Sequence, residues 1–233
     1  MIALAPSPLG VETLDDPACD PAVARATLRD IARANRWFGG VGAAAFGLDR
    51  LLAGVSARRL TLLDVGAGSG DVARALQARA RRRGIELVPL AVDAHRIAAG
   101  LCRDAGLRTA VATAAALPLR PGSVDVVLAS QFLHHFRRDA AIALLQAFAR
   151  LARVGLVVAD ARRTTAAAWG IWLGSLAFGF HPVTRRDGML SVRRSCTAAE
   201  LRALVADAGL RGTVHRRPGF RLVAVWRRRD ADG

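Results

Sequence analysis

At 233 residues, 52% apolar and 23% charged, the chain can fill the core of one α/β domain but not comfortably of two. That balance excludes a disordered chain. The net charge of +15 invites a nucleic-acid partner, because clustered cations release counterions from phosphate. The Arg residues are scattered, however, with no Lys or Tyr beside them, so the charge makes no strong case for nucleic acid.

Residues 1–20 read as a lead-in, where Pro6 and Pro8 interrupt the apolar run that a signal peptide needs. Cys19, Cys102 and Cys196 are too far apart for a disulfide framework or zinc spacing, so a reducing, cytoplasmic setting is expected. Pro21 opens a helical pattern that ends at Trp37-Phe38, and a second short helix covers Ala43 to Leu52. Residues 1–55 are therefore expected to be a lead-in with lid helices, and residues 56–233 the main domain.

From Leu60 apolar runs alternate with amphipathic segments. Strands are predicted at Leu60–Val65, Leu87–Val92, Thr109–Ala112, Val124–Ser130 and Val154–Asp160. Helices are predicted between them at Val72–Arg83, Ala94–Asp104 and Arg138–Leu151. Arg79, Arg81, Arg82 and Arg83 would then close a helix, where its dipole favours cations. This alternation implies βαβ units and a parallel sheet. Thr197 and Glu200 form a capping box for a helix to Asp207, stopped by Gly209. Two strands follow, at Arg211–Arg217 and Phe220–Trp226; the turn at Pro218-Gly219 is too short for a crossover, so they pair antiparallel. Arg227 to Arg229 read as a solvated tail.

The strongest local signal is Leu62-Leu-Asp-Val-Gly-Ala-Gly-Ser-Gly70, an apolar strand running into a glycine-rich turn that opens a helix. A dinucleotide fingerprint would need Gly or Ala where Asp71 stands, and a P-loop would need a Lys. Asp64 and Asp71 suit a ligand bearing an ammonium and a sulfonium, which is S-adenosylmethionine (SAM). Asp93, at the end of the second strand, can accept both ribose hydroxyls, or it can cap the next helix.

With those residues in hand, the chain resembles the class I SAM-dependent methyltransferases, especially the small-molecule type related to the ubiquinone/menaquinone methyltransferases. Asp64-x-Gly-x-Gly-x-Gly70 resembles the first motif and Ala91-Val-Asp93 the second. Ala114-Ala-Ala-Leu-Pro118 resembles the adenine-lining segment. Ser123-Val-Asp125-Val-Val with Leu133-His134-His135-Phe136 resembles the fourth strand and its turn. The resemblance implies an α/β, Rossmann-like seven-stranded sheet of order 3-2-1-4-5-7-6, its last strand antiparallel, with helices on both faces. It implies cofactor contacts by Asp64, Gly66, Ala67, Gly68, Gly70, Asp93, Ala94, Thr113, Ala114 and Ser130. Thr113 departs from the family, which places an Asp there to receive the adenine amine.

Methyl transfer needs alignment above all, and a hydroxyl acceptor gains from a nearby base. His134, His135 and His181 are the candidates; the adjacent pair could instead shape the turn, and His181 could be a solvated loop residue. No metal is expected, because two neighbouring histidines should not face one ion. The segment Ala166–Phe180 is apolar nearly all round, so it is either core or touched by something greasy; it is too short to span a bilayer. A lipophilic aromatic acceptor, phenolic or quinone-like, follows from the second reading, with Trp172 and Phe178 as contacts and peripheral membrane contact as a corollary. Arg36 and Trp37 are candidate lid contacts. O-methylation is slightly preferred over C-methylation; the alternatives are an RNA or protein methyltransferase and a SAM-binding protein without catalysis.

Overall fold

The computed structural model describes residues 10–16 and 18–228. Pro6, Pro8, half of the lead-in and Arg229 lie outside that range. Seven strands form one sheet: β1 (Arg59–Val65), β2 (Glu86–Asp93), β3 (Arg108–Val111), β4 (Val124–Ser130), β5 (Ala152–Ala161), β6 (Thr213–Arg217) and β7 (Arg221–Arg227). Their order is β3-β2-β1-β4-β5-β7-β6. Strands β1 to β5 pair in parallel, and β7 runs antiparallel to both β5 and β6. The expected topology is therefore the observed one.

Strand periodicity divides the core in two. Leu60 and Leu62 of β1, Val126 and Leu128 of β4, and Val157 and Ala159 of β5 face α2 (Gly40–Leu51) and α3 (Asp71–Arg81). Leu63, Val65, Val127, Leu156 and Val158 face the other way, onto α5 (Arg138–Leu151) and α8 (Ala198–Asp207). Val124, at the start of β4, packs with this second face, and the register with β5 shifts between Val124 and Val126 through an extra residue on β5. Fully buried Phe148 anchors the second face, a burial worth roughly 1.5–3 kcal/mol.

The remaining helices are α1 (Pro21–Trp37), α4 (Arg96–Asp104), α6 (Thr165–Ala177) and α7 (Pro182–Arg194). Of the two N-terminal helices expected as a lid, α2 lies instead against the sheet through Ala43, Ala44, Leu48 and Leu51. Helix α4 starts two residues later than expected, because Asp93 takes the His95 backbone N–H at 2.8 Å and turns the chain first. Helix α7 has no counterpart among the helices that the sequence predicts. Its run is largely polar, but Pro182 occupies the first turn, where its missing N–H costs nothing, and His181 is the N-cap. No helix among the described residues is long and apolar enough to cross a membrane.

Candidate active site

A cavity of about 630 Å³ opens at the carboxyl ends of β1, β2, β4 and β5, where ligands bind in sheets of this kind. One wall is backbone. After β1 the chain turns through Gly66 and Gly68, both at positive φ, and Gly70 opens α3. At Gly66 a Cβ would lie 2.4 Å from the Phe132 ring, so only glycine lets the turn pass. Asp93 locks this turn from the side: one carboxylate oxygen accepts the Gly68 N–H at 2.9 Å while the other holds His95.

The same wall is acidic. Asp64 is fully buried and neither of its carboxylate oxygens has a hydrogen-bond partner among the described residues. Burial, reinforced by repulsion from Asp71 and Asp93, pushes its carboxyl up to about 8. Burial also raises Asp71 and Asp93, against the hydrogen bonds that each receives. The buried amide of Asn35 reaches from α1 to Asp71 at 3.1 Å. A glycine cradle beside an orphaned, buried carboxylate fits a ligand with cationic groups and a sugar.

Predicted cofactor residues Asp64, Gly66, Ala67, Gly68, Asp93, Ala94, Thr113, Ala114 and Ser130 all line this cavity. Gly70 does not. A Cβ there would meet Leu107 at 2.4 Å, so its lack of a side chain serves packing of α3. The Thr113 hydroxyl accepts the Ala115 N–H at 3.4 Å, capping the turn over Ala114–Ala116.

The opposite wall is built from side chains. After β4, Gln131 takes a left-handed φ of 53° and swings the chain into a 3₁₀ turn, Leu133–His135. Successive side chains on such a turn diverge by about 120°, less than on a strand, and the two imidazoles stack at 4.3 Å between centroids. Asp160, at the end of β5, meets His134 Nδ1 at 2.8 Å; Asp15 meets His135 Nδ1 at 2.9 Å. Glu12 lies 3.5 Å from His134 Nε2 and 3.9 Å from His135 Nε2. The expectation that adjacent histidines point apart is thus overturned. Burial alone would lower the His134 pKa, but Asp160 and Glu12 outweigh it and push it up to about 10. Burial would raise Glu12 and Asp160, yet their histidine neighbours leave both below the usual carboxylate range.

Residues 12–15 are tied down by α7. The Thr13 N–H donates to Asp187 at 2.8 Å, the Ser191 hydroxyl donates to Glu12 at 2.8 Å, and Arg194 reaches Glu12 at 3.2 Å and Asp15 at 3.5 Å. Helix α1 holds α7 in turn, because Asp30 accepts the His181 N–H at 2.7 Å and the Thr184 hydroxyl at 3.2 Å.

The other sequence candidates divide. Trp37 lines the cavity and packs on Phe178 with centroids 4.5 Å apart. Arg36 points instead into a separate groove beside α3. His181 lies outside the cavity; its ring nitrogen accepts the Val183 N–H at 3.3 Å, which makes it a helix cap and neither a base nor a free loop residue. Trp172 and Phe178 also stay outside the cavity, on the exposed side of α6. Sequence reasoning missed Glu12, Asp15, Asn35, Asp160 and Arg194 as site residues. An acid closing a parallel strand, as Asp160 does, is a usable signal, because strand ends face the crevice.

Residues 63–159 match a family model described as a methyltransferase domain. An uncharacterized methyltransferase of Mycobacterium sp. (strain JLS) is 41% identical over 75 residues, which is 32% of this chain. That aligned stretch spans 28% of the relative's length. The plantazolicin methyltransferase BpumL, solved in complex with SAH, superposes with a TM-score of 0.65 at 13% identity, covering 89% of this chain and 96% of that one. An O-methyltransferase family protein from Burkholderia thailandensis gives 0.65 at 18% identity, covering 95% of this chain and 64% of that one. At those identities the structures establish the fold. The family match adds that residues 63–159 are similar to a methyltransferase domain.

Proposed function

We propose that the chain is a SAM-dependent methyltransferase acting on a small, lipophilic acceptor of phenolic or quinone-like type, with O-methylation preferred over C-methylation. The observation that carries the cofactor assignment is the orphaned carboxylate of Asp64, buried beside a positive-φ glycine turn that Asp93 braces. When bound, SAM supplies a methyl group on a sulfonium, transferred in line to the acceptor. The glycine turn and Asp93 hold the nucleoside, and Asp64 and Asp71 answer its positive charges. Aligning the acceptor is the protein's main task, and good alignment contributes about 7–11 kcal/mol.

The lipophilic acceptor is supported by α6. Ala167, Gly170 and Ile171 turn inward to the cavity. Trp169, at 60% exposure, and Leu173, at 56%, face outward with Trp172 and Leu176. An apolar helix with one face in the site and the other bare suits substrate drawn from a lipid surface. The acceptor's polar end would then meet His134 and His135 across the cavity.

Transfer of labelled methyl from SAM to a panel of phenols and quinols tests the assignment. Label on phenol oxygens is the expected result. Label on RNA or protein alone would move the acceptor to a macromolecule. Tight SAH binding with no transfer to any acceptor would leave a SAM-binding protein.

A further inference from the structure

Two histidines and one glutamate converge at the side-chain wall. Each imidazole has its Nδ1 engaged by a carboxylate, His134 by Asp160 at 2.8 Å and His135 by Asp15 at 2.9 Å. In a neutral imidazole a carboxylate on Nδ1 fixes the tautomer with a free lone pair on Nε2, the arrangement that orients metal-binding histidines; at His134 an ion would take the place of the Nε2 proton that Asp160 and Glu12 otherwise favour. Both Nε2 atoms turn toward one glutamate, Glu12, and the three ligating atoms lie within 4.8 Å of one another. The His134 ring is almost wholly buried, yet its Nε2 has no hydrogen-bond partner among the described residues. A buried donor or acceptor left in this way is costly unless something else fills its place.

We propose that Glu12, His134 and His135 bind a divalent transition-metal ion of the zinc type, with an open coordination position facing the cavity. Zinc bonds of about 2.0–2.1 Å to nitrogen put ligand atoms about 3.3 Å apart. Glu12 Oε1 lies 3.5 Å from His134 Nε2 and Oε2 lies 3.9 Å from His135 Nε2, so on the glutamate side the groups need close only slightly. Two imidazoles with one carboxylate favour such an ion over magnesium or calcium, which prefer all-oxygen shells. Three protein ligands leave the fourth position free, as in zinc sites that bind substrate. Arg194 does not block the ion: it engages the Oε1 atom of Glu12, together with Ser191, and leaves Oε2 to face His135. Asp15 and Asp160 then act as positioning residues that aim the rings. An acceptor oxygen in the fourth position rests on the methyltransferase reading above; the binding of the ion does not.

The test is a titration of tag-free protein, stripped with a chelator, with Co²⁺ followed by visible absorption. One equivalent should develop a ligand-field band, and Zn²⁺ should abolish it. Glu12→Gln and His135→Asn, both at partly exposed positions, should each weaken Co²⁺ binding at least tenfold while keeping the circular dichroism spectrum. Asp15→Asn should weaken it less, by loosening His135. Absence of the band, or a band that survives in both Glu12→Gln and His135→Asn, would overturn the site and leave a cluster of ion pairs. SAH affinity, measured separately, reports on the cofactor pocket: its absence alongside Co²⁺ binding would sink the methyltransferase reading and leave the metal site standing.

Discussion

The two walls of the cavity are built on different principles. The cofactor wall comes from a stretch of about thirty residues and is made largely of backbone, with Gly66 and Gly68 shaping it and Asp93 bracing it. The acceptor wall is assembled by side chains from distant segments: Glu12 meets Ser191 across 179 positions, and His135 meets Asp15 across 120. Glycine conformations and sheet pairing define the first wall. The second depends on charge balance.

Substitutions can break this contrast from either side. The largest expected effect is on the acceptor wall. Asp160→Ala removes one partner of a buried ion pair and should cost about 3–5 kcal/mol in denaturant unfolding, with SAH affinity of the folded fraction close to wild type. Gly66→Val should show the reverse emphasis. A branched side chain at φ 71° would also meet Phe132, costing roughly 2–3 kcal/mol. Here SAH affinity should fall by about a hundredfold or more, because the backbone wall itself moves. Equal loss of SAH affinity in both variants would erase the distinction between the walls.

A smaller effect concerns protons. The Asp64 carboxyl, up near 8 in the protein against an ordinary 3.8, is mostly protonated at pH 7. Across that interval the folded state binds more protons than the unfolded one, so Asp64 makes stability fall as pH rises from about 4 to 8. A cationic ligand reverses the preference. Calorimetry at pH 7 in buffers of different ionisation enthalpy should show proton release on binding, larger for SAM than for its neutral thioether product. The smallest effect is at the rim: Trp172→Ser and Phe178→Ser should each reduce co-sedimentation with anionic liposomes several-fold, with folding unchanged. No liposome binding by the wild type would remove the lipid surface from the picture.

The same contrast explains what was legible in the sequence. Strand β4 and helix α5 match their predicted limits, and the glycine turn, Asp64 and Asp93 could be read because strand, turn and acid lie within about thirty residues of one another. The acceptor wall offered no such local grammar. Glu12 and Asp15 sit in a segment with little periodicity, and their meaning appears only when α7 brings Asp187, Ser191 and Arg194 against them. His181 before a proline read as a loop, although with Asp30 it starts a helix. The apolar run at α6 was recognised, but neither periodicity nor composition could say that one face would stay bare.

Calorimetric titration of the purified chain with SAM, for wild type and Asp93→Ala, tests the cofactor pocket most directly. Wild type should bind one equivalent, and the substitution should weaken binding about ten- to a hundredfold through lost charge-assisted bonds of ~1.5–3 kcal/mol each. No heat of binding to the wild type, or equal affinity in the two proteins, would contradict the assignment of this cavity to SAM.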